Sequence, residues 1–346
     1  MTNNIKLSLI LPCYKVAEYL PRCLDSIMNQ TLEDIEAICI NDGSPDNCLD
    51  ILNEYKEKYD SKIVIIDKEN EGVWKGRKDG IKVAKGKYIG FVDPDDYVAP
   101  EYCEKLYNAA KNNNADISIC GFDRVDLKTE KRYSQEMINP KYNELNIQEE
   151  PGLMIEVNTA PWNKIYKSNL LKNMPELENI PNVLDDMMFL QLVYMNAEKA
   201  VFIEDSLYFY FVRKESIINS IKKELIPNVY ESFKEVRSVF KKQNPDLLEY
   251  LDALAFLHLG VSFMYRLSAD KELDFDNVIK TNTQYLNENF PTWNNNKYIS
   301  RKYSKEHKGA NKKIYLMKKF YDFHIFKPFL SVYKFMINYL HIDIKW

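Results

Sequence analysis

The sequence predicts an α/β fold, a mostly parallel sheet flanked by helices, followed by a helical C-terminal region. Three observations carry this. Short apolar runs alternate with amphipathic helical patterns about 25 residues apart, as strands joined by helical crossovers do. One of those runs, Tyr88 to Val92, stops at the acidic turn Asp93-Pro94-Asp95-Asp96. From Leu225 onward the apolar period is that of helices.

Taken in order, Leu7 to Leu11 is a continuous apolar run, the mark of a strand buried on both faces, and it ends at Pro12, Cys13 and Tyr14. Leu20, Cys23, Leu24, Ile27 and Met28 then share one helical face. Ile35 to Ile40 is the second strand. It breaks into Asn-Asp-Gly-Ser-Pro-Asp, turn formers that also cap a helix carrying Leu49, Leu52 and Tyr55. Ile63 to Ile66 is the third strand, and a loop and helix lead from it to Gly86. Pro94 cannot donate to a ladder, so the fourth strand ends before it. A helix entered through Pro100 leads to the strand Ile117 to Phe122. Between Asp123 and Asn158 the periodicity fades, which predicts a loop-rich insertion over the site. Order returns with Pro-Trp-Asn-Lys-Ile-Tyr-Lys, then a helical face of Leu184, Met188, Leu192 and Met195, then an alternating strand from Ala200 to Arg213. Ile226 to Phe240, Leu247 to Leu267 and a run through Ile279 and Leu286 are helices. Two domains are expected, 1–220 and 221–346.

The formal net charge of -4 hides an asymmetry. From Lys297 to Trp346 there are 12 Lys+Arg against 3 Asp+Glu, interleaved with aromatics, while the rest of the chain is acidic. Such a tail suits an anionic membrane surface; it equally suits a helical hairpin packed on the body or on a twin subunit. Nucleic acid is not expected as a partner, because no recognition motif accompanies the charge. The six cysteines lie in apolar patterns without C-x-x-C spacing and read as buried free thiols of a reducing compartment. The N-terminal apolar core is too short for a signal peptide, and Ala253 to Tyr265 falls short of the ~20 residues of a membrane span. A cytoplasmic protein, peripheral to the inner face of the membrane if the tail binds lipid, is the expectation.

Carboxylates at the carboxyl end of a buried strand stand where open α/β sheets bind ligands. Asp93 and Asp95, on a turn stiffened by Pro94, offer hard oxygens to a divalent cation such as Mn²⁺ or Mg²⁺, which commonly shares its shell with phosphates. An isolated D-x-D is more often a solvated turn, so the context decides. The glycines form neither G-x-G-x-x-G nor an NTPase phosphate loop, and the four histidines do not cluster. A metal held by these aspartates is then the best candidate for neutralising a diphosphate.

The ordered set LSLILPCYKVAEYLPRCLDSIMNQT, ICINDGSPD, GRKDGIKVAKGKYIGFVDPDD, PWNKIYK, LDDMMF and LYFYFVRKES resembles the family 2 inverting glycosyltransferases of the GT-A fold. It runs from about Lys6 to Ser220 and leaves the helical third uncovered. The resemblance implies a hexosyl or N-acetylhexosaminyl transfer from a UDP-sugar donor to a hydroxyl of a glycan or lipid-linked acceptor, in cell-surface polysaccharide synthesis. It implies that Pro12 and Tyr14 line the base, that Asp42 bonds the uracil, and that Asn70, Gly72 and Arg77 close the other side. Asp93 would face the ribose or metal and Asp95 the metal itself. Asp186 would be the catalytic base, beside Asp185, where the family more often has glutamate. Trp162 and Lys164 would shape the acceptor pocket, and Arg213, of a Y-x-Y-x-x-R-x-x-S pattern, would grip phosphate. Two rivals remain: a nucleotidyltransferase, which wants a glycine-rich loop after the first strand, and a non-catalytic glycan-binding protein, which need not keep Asp95 and Asp186.

Overall fold

The computed structural model describes residues 5–138, 141–180, 183–212, 223–268, 270, 272–307 and 309–340. The chain forms two compact units: Met1–Glu149, Thr159–Glu176 and Asp185–Lys214 make the first, and Glu150–Asn158, Leu177–Leu184 and Glu215–Trp346 the second.

The first unit is organised on a ten-stranded sheet. Its strands are β1 (Leu7–Cys13), β2 (Ile35–Asp42), β3 (Ile63–Lys68), β4 (Tyr88–Phe91), β5 (Tyr97–Val98), β6 (Ile117–Asp126), β7 (Arg132–Glu136), β8 (Glu144–Asn146), β9 (Lys164–Lys167) and β10 (Lys199–Val212). The main path runs β3-β2-β1-β4-β9-β6-β10-β5, with β7 on β6 and β8 on β10. Helices α1 (Leu20–Met28), α2 (Cys48–Lys58), α3 (Val73–Val83) and α4 (Tyr102–Asn112) alternate with the early strands; α5 (Ser168–Lys172) and α6 (Asp185–Tyr194) come after β9.

β1 pairs in parallel with β2 on one side and β4 on the other. The chain winds outward through β2 to β3 and then returns across β1 to β4. That reversal opens a crevice at the carboxyl ends of β1 and β4, the usual ligand position in such sheets. Leu7, Leu9, Leu11 and Cys13 share one core with Leu20, Cys23, Leu24 and Ile27 of α1. On the opposite face α3 lies close against β1, because a Cβ on Gly80 would fall 2.7 Å from Ile10 Cγ2. All six cysteines are buried and unpaired, as expected.

Two features differ from the sequence reading. β9 is a four-residue buried strand that pairs antiparallel with β4 and β6. Two of its residues are lysines, so it carries no run long enough to read as a strand. The stretch after Asp123 is not simply loop: β6 continues to Asp126 and turns back through β7. The Asp126 carboxylate caps this hairpin, accepting from Thr129 N at 2.8 Å and Lys128 N at 3.1 Å. β7, RYSQE, has no buried residue, so the turn chemistry was visible but no apolar alternation announced the strand.

The second unit is helical: α7 (Ile226–Gln243), α8 (Leu248–Ala255), a π-helical segment Phe256–Phe263, α9 (Met264–Leu267), α10 (Phe275–Asn289), α11 (Arg301–Glu306), α12 (Ala310–Asp322) and α13 (Phe326–Leu340). The helical stretch Pro245–Leu267 is the one candidate membrane span among the described residues, and it is mostly buried inside the protein. Its wholly buried Asp252 accepts from Arg237 Nε at 2.8 Å and Nη2 at 3.2 Å, and from Thr292 N at 3.0 Å and Oγ1 at 2.7 Å. Four donors satisfy a charge that would otherwise be costly in this interior.

Candidate active site

The crevice collects polar side chains from the ends of β1, β2 and β4 and from the starts of α3 and α6. Tyr14, just past β1, is 43% exposed, and Pro12 lies within β1 beside Ile40. At the end of β2, Asp42 is buried, and its carboxylate accepts the backbone N–H groups of Glu71 at 2.9 Å and Gly72 at 2.8 Å. Those groups open α3, where unpaired amides favour a negative partner. Gly43 has φ +62, and a Cβ there would fall 2.7 Å from Asn70 N, so glycine lets the two loops meet. Pro12, Tyr14, Asp42, Asn70 and Gly72 therefore sit at neighbouring loop and strand ends, with Asp42 already bonded to the backbone.

α3 carries Arg77 into the centre. Its side chain is only 4% exposed and ends among three carboxylates: Nη1 donates to Asp186 Oδ1 at 2.6 Å and lies 3.6 Å from Asp185 Oδ2, and Nη2 lies 4.0 Å from Asp93 Oδ1. Burial opposes the charge, yet Asp186, Asp185 and Asp93 together hold Arg77 above its ordinary value. The same crowding acts on the acids. Burial pushes Asp93 up to about 7; Arg77 opposes this, while Asp95, Asp186 and Asp185 add to it. Asp185 is pushed up to about 6 by burial and then by Asp186, against Arg77 and the backbone amides at the start of α6.

The acidic turn is held from β10 and α1. Tyr208 donates its hydroxyl to Asp96 Oδ2 at 2.8 Å and accepts the Asp93 backbone N–H at 3.1 Å. The other Asp96 oxygen accepts Phe211 N at 2.8 Å. Asp96 is wholly buried, and burial, followed by Asp95 and Asp93, pushes it well above the carboxylate range. Arg22 of α1 donates to the Asp95 carbonyl at 2.9 Å and lies over the Phe211 ring at 3.8 Å. Asp96 and Arg22 did not figure among the expected site residues. The third acid of the turn was a visible signal for Asp96; nothing in the spacing pointed to Arg22.

The acceptor candidates are packed inward. Trp162 is buried and stacks on Tyr208 at 4.2 Å and Tyr210 at 5.4 Å, a core position that presents no open face to a sugar. Lys164 is wholly buried; Nζ donates to Ala160 O at 2.7 Å and Asn163 Oδ1 at 2.6 Å, and burial pushes its pKa down to about 7. Arg213 lies outside the described residues.

Asp93, Asp185 and Asp186 share the guanidinium of Arg77, and Asp95 adds to the negative potential on Asp93, leaving a surplus of negative charge. Hard carboxylate oxygens in that setting suit a divalent cation. Among the described residues no three His, Cys, Asp or Glu side chains form a metal cage by themselves.

Residues 8–172 match the Glycosyl transferase family 2 model. The chain is 30% identical over 269 residues to the putative glycosyltransferase EpsH of Bacillus subtilis (strain 168), covering 74% of this chain and 76% of that one. It is 32% identical over 241 residues to the poly(ribitol-phosphate) beta-glucosyltransferase of Bacillus spizizenii, covering 68% of this chain but 37% of that one. The chain thus spans little more than a third of the latter's length. In fold it is similar to residues 1-349 of S. aureus TarS, solved in complex with UDP-GlcNAc: TM-score 0.68, 20% identity, 92% of this chain and 91% of that one. This likeness carries the fold, a GT-A sheet with the helical C-terminal region included in the match.

Proposed function

We infer the reaction from a premise that the relatives establish: the chain belongs to glycosyl transferase family 2. It transfers a hexosyl or N-acetylhexosaminyl unit from a UDP-sugar, with inversion, to a hydroxyl of a glycan or lipid-linked acceptor in cell-surface polysaccharide synthesis. The observation that supports this reading best is the convergence on Arg77. One guanidinium joins the acid pair of α6 to the acidic turn after β4, placing a base and a diphosphate site within one side chain's reach.

The uridine lies at the ends of β1 and β2, against Tyr14 and the loop that Asp42 and Gly43 hold beside Asn70 and Gly72. Asp93 and Asp95 would hold a divalent cation, Mn²⁺ or Mg²⁺, which when bound would neutralise charge developing on the diphosphate leaving group.

Asp186 takes the proton of the acceptor hydroxyl as the acceptor oxygen bonds to the anomeric carbon and the bond to the nucleoside diphosphate breaks on the opposite face. Arg77 grips Asp186 through Oδ1 and so fixes the direction of the carboxylate. Asp185, beside it, adds negative potential and takes no proton from substrate. The inward packing of Trp162 and Lys164 makes them supports for this wall of the site, not surfaces for the acceptor. The presence of Asp95 and Asp186 in one crevice favours catalysis over a glycan-binding role, and the family leaves the nucleotidyltransferase reading without support.

Calorimetric titration of UDP, with and without Mn²⁺, into wild type and Asp95→Ala tests the reading. Metal-dependent binding that the substitution removes is the expected result. A folded wild-type protein that ignores UDP with the metal present would overturn the UDP-sugar assignment.

A further inference from the structure

We propose that the outward faces of α12 and α13 dock this protein on an anionic lipid bilayer. Among the described residues, five of the nine exposed large apolar side chains lie between Leu316 and Phe335: Leu316, Phe323, Ile325, Val332 and Phe335. Phe323, Val332 and Phe335 are 68%, 59% and 54% exposed, well beyond what incidental surface placement in a packed hairpin requires.

Their spacing is that of amphipathic helices lying on a surface. Along α12 and its C-cap residue, Lys312, Leu316, Lys319 and Phe323 follow one another at four, three and four residues, on the side opposite buried Ile314 and Met317. On α13, Pro328, Val332 and Phe335 oppose buried Phe326, Leu330 and Tyr333. The inner faces therefore pack within the helical unit, and the exposed apolar side chains lie on the opposite side of each helix.

Charge decides the occupant. The stretch from Lys297 to Trp346 carries 12 Lys+Arg against 3 Asp+Glu. On α12 Lys312 and Lys319, the latter also donating to Asp322 Oδ2 at 3.1 Å, alternate with the apolar row turn by turn, so both kinds of side chain meet the same partner. A headgroup layer satisfies both at once, the apolar side chains entering the acyl boundary and the lysines reaching the phosphates. An identical basic surface on a second copy would instead place like charges in contact.

The full-length protein is sedimented with vesicles of phosphatidylcholine alone and of phosphatidylcholine with phosphatidylglycerol, at low and high salt, and its mass in solution is measured by light scattering. Wild type is expected on the anionic vesicles only, with binding that salt weakens. Phe323→Asp with Val332→Asp should lower the bound fraction roughly tenfold, and Lys312→Glu with Lys319→Glu by a similar factor. All four positions are on the surface, and circular dichroism checks that each variant is folded. The proposal is overturned by folded wild type that stays in the supernatant at low salt, or by binding that neither pair of substitutions changes. A solution dimer that the apolar pair dissociates, with no vesicle binding, would assign the face to a second copy.

Discussion

Tyr208 donates its hydroxyl to the buried Asp96 carboxylate at 2.8 Å, and through that same oxygen it accepts the backbone N–H of Asp93 at 3.1 Å. Strand β10 thereby sets the conformation of a turn more than a hundred residues earlier in the chain. The acids of that turn divide the work: Asp93 turns toward Arg77, while Asp96 anchors the turn on Tyr208 and the Phe211 amide.

Tyr208→Phe should therefore weaken metal and donor binding without touching either ligand. It leaves the Asp93 amide and one Asp96 oxygen unpaired, a cost of about 1–3 kcal/mol in a buried site. Manganese affinity read by electron paramagnetic resonance should fall, and the melting temperature with it. Unchanged manganese affinity in a destabilised variant would restrict Tyr208 to a packing role.

Asp186→Asn tests the base. The amide keeps the shape of the side chain, so UDP affinity should stay within a few-fold of wild type while transfer falls by about 10²–10⁴. Arg77→Ala should behave differently, because it removes the guanidinium shared by three half-buried carboxylates and should impair both folding and turnover. If Asp186→Asn retains full turnover with a folded site, the proton goes elsewhere.

The sheet was legible where strands are buried on both faces, since runs such as Leu7 to Leu11 leave no other reading. The short strand β9 and the exposed hairpin strand β7 were not, because one is lysine-rich and the other has no apolar alternation. The ordered motifs were legible, yet the contacts between them were not. Arg77 meets Asp186 across 109 positions and Tyr208 meets Asp96 across 112, and no spacing rule encodes such contacts. Trp162 shows the limit most directly: a tryptophan suits a sugar face or a core equally well, and its spacing does not announce the stack on Tyr208 and Tyr210.

Lys164 and Asp185 predict opposite pH limbs for stability. Asp185 is held up at about 6, so the native state keeps its proton longer than the unfolded chain does, and stability falls as pH rises from about 4 to 6. Lys164 is held down at about 7, so the unfolded chain binds the extra proton between about pH 7 and 10, and stability rises across that interval. Urea denaturation of wild type and Lys164→Met at pH 7 and 9 reads the second limb. The substitution should flatten it, and an unchanged slope would place the lysine's titration outside this interval.

Asp42 separates a direct contact with the base from an indirect one. Its carboxylate already accepts the Glu71 and Gly72 amides, so Asp42→Asn turns an acceptor into a donor against one of those N–H groups and loosens the loop that carries Asn70 and Gly72. If Asp42 acts by holding that loop, the variant should lose affinity for UDP and CDP by the same factor, roughly 5- to 30-fold for a cost of 1–2 kcal/mol. If Asp42 also meets uracil, the loss should be larger for UDP, because only there does the substitution change a base contact as well as the loop. Competition of UDP and CDP for the same metal-loaded protein gives the ratio directly. The structure favours the equal loss, since both carboxylate oxygens point to backbone amides and reaching the base would require at least one of them to be shared.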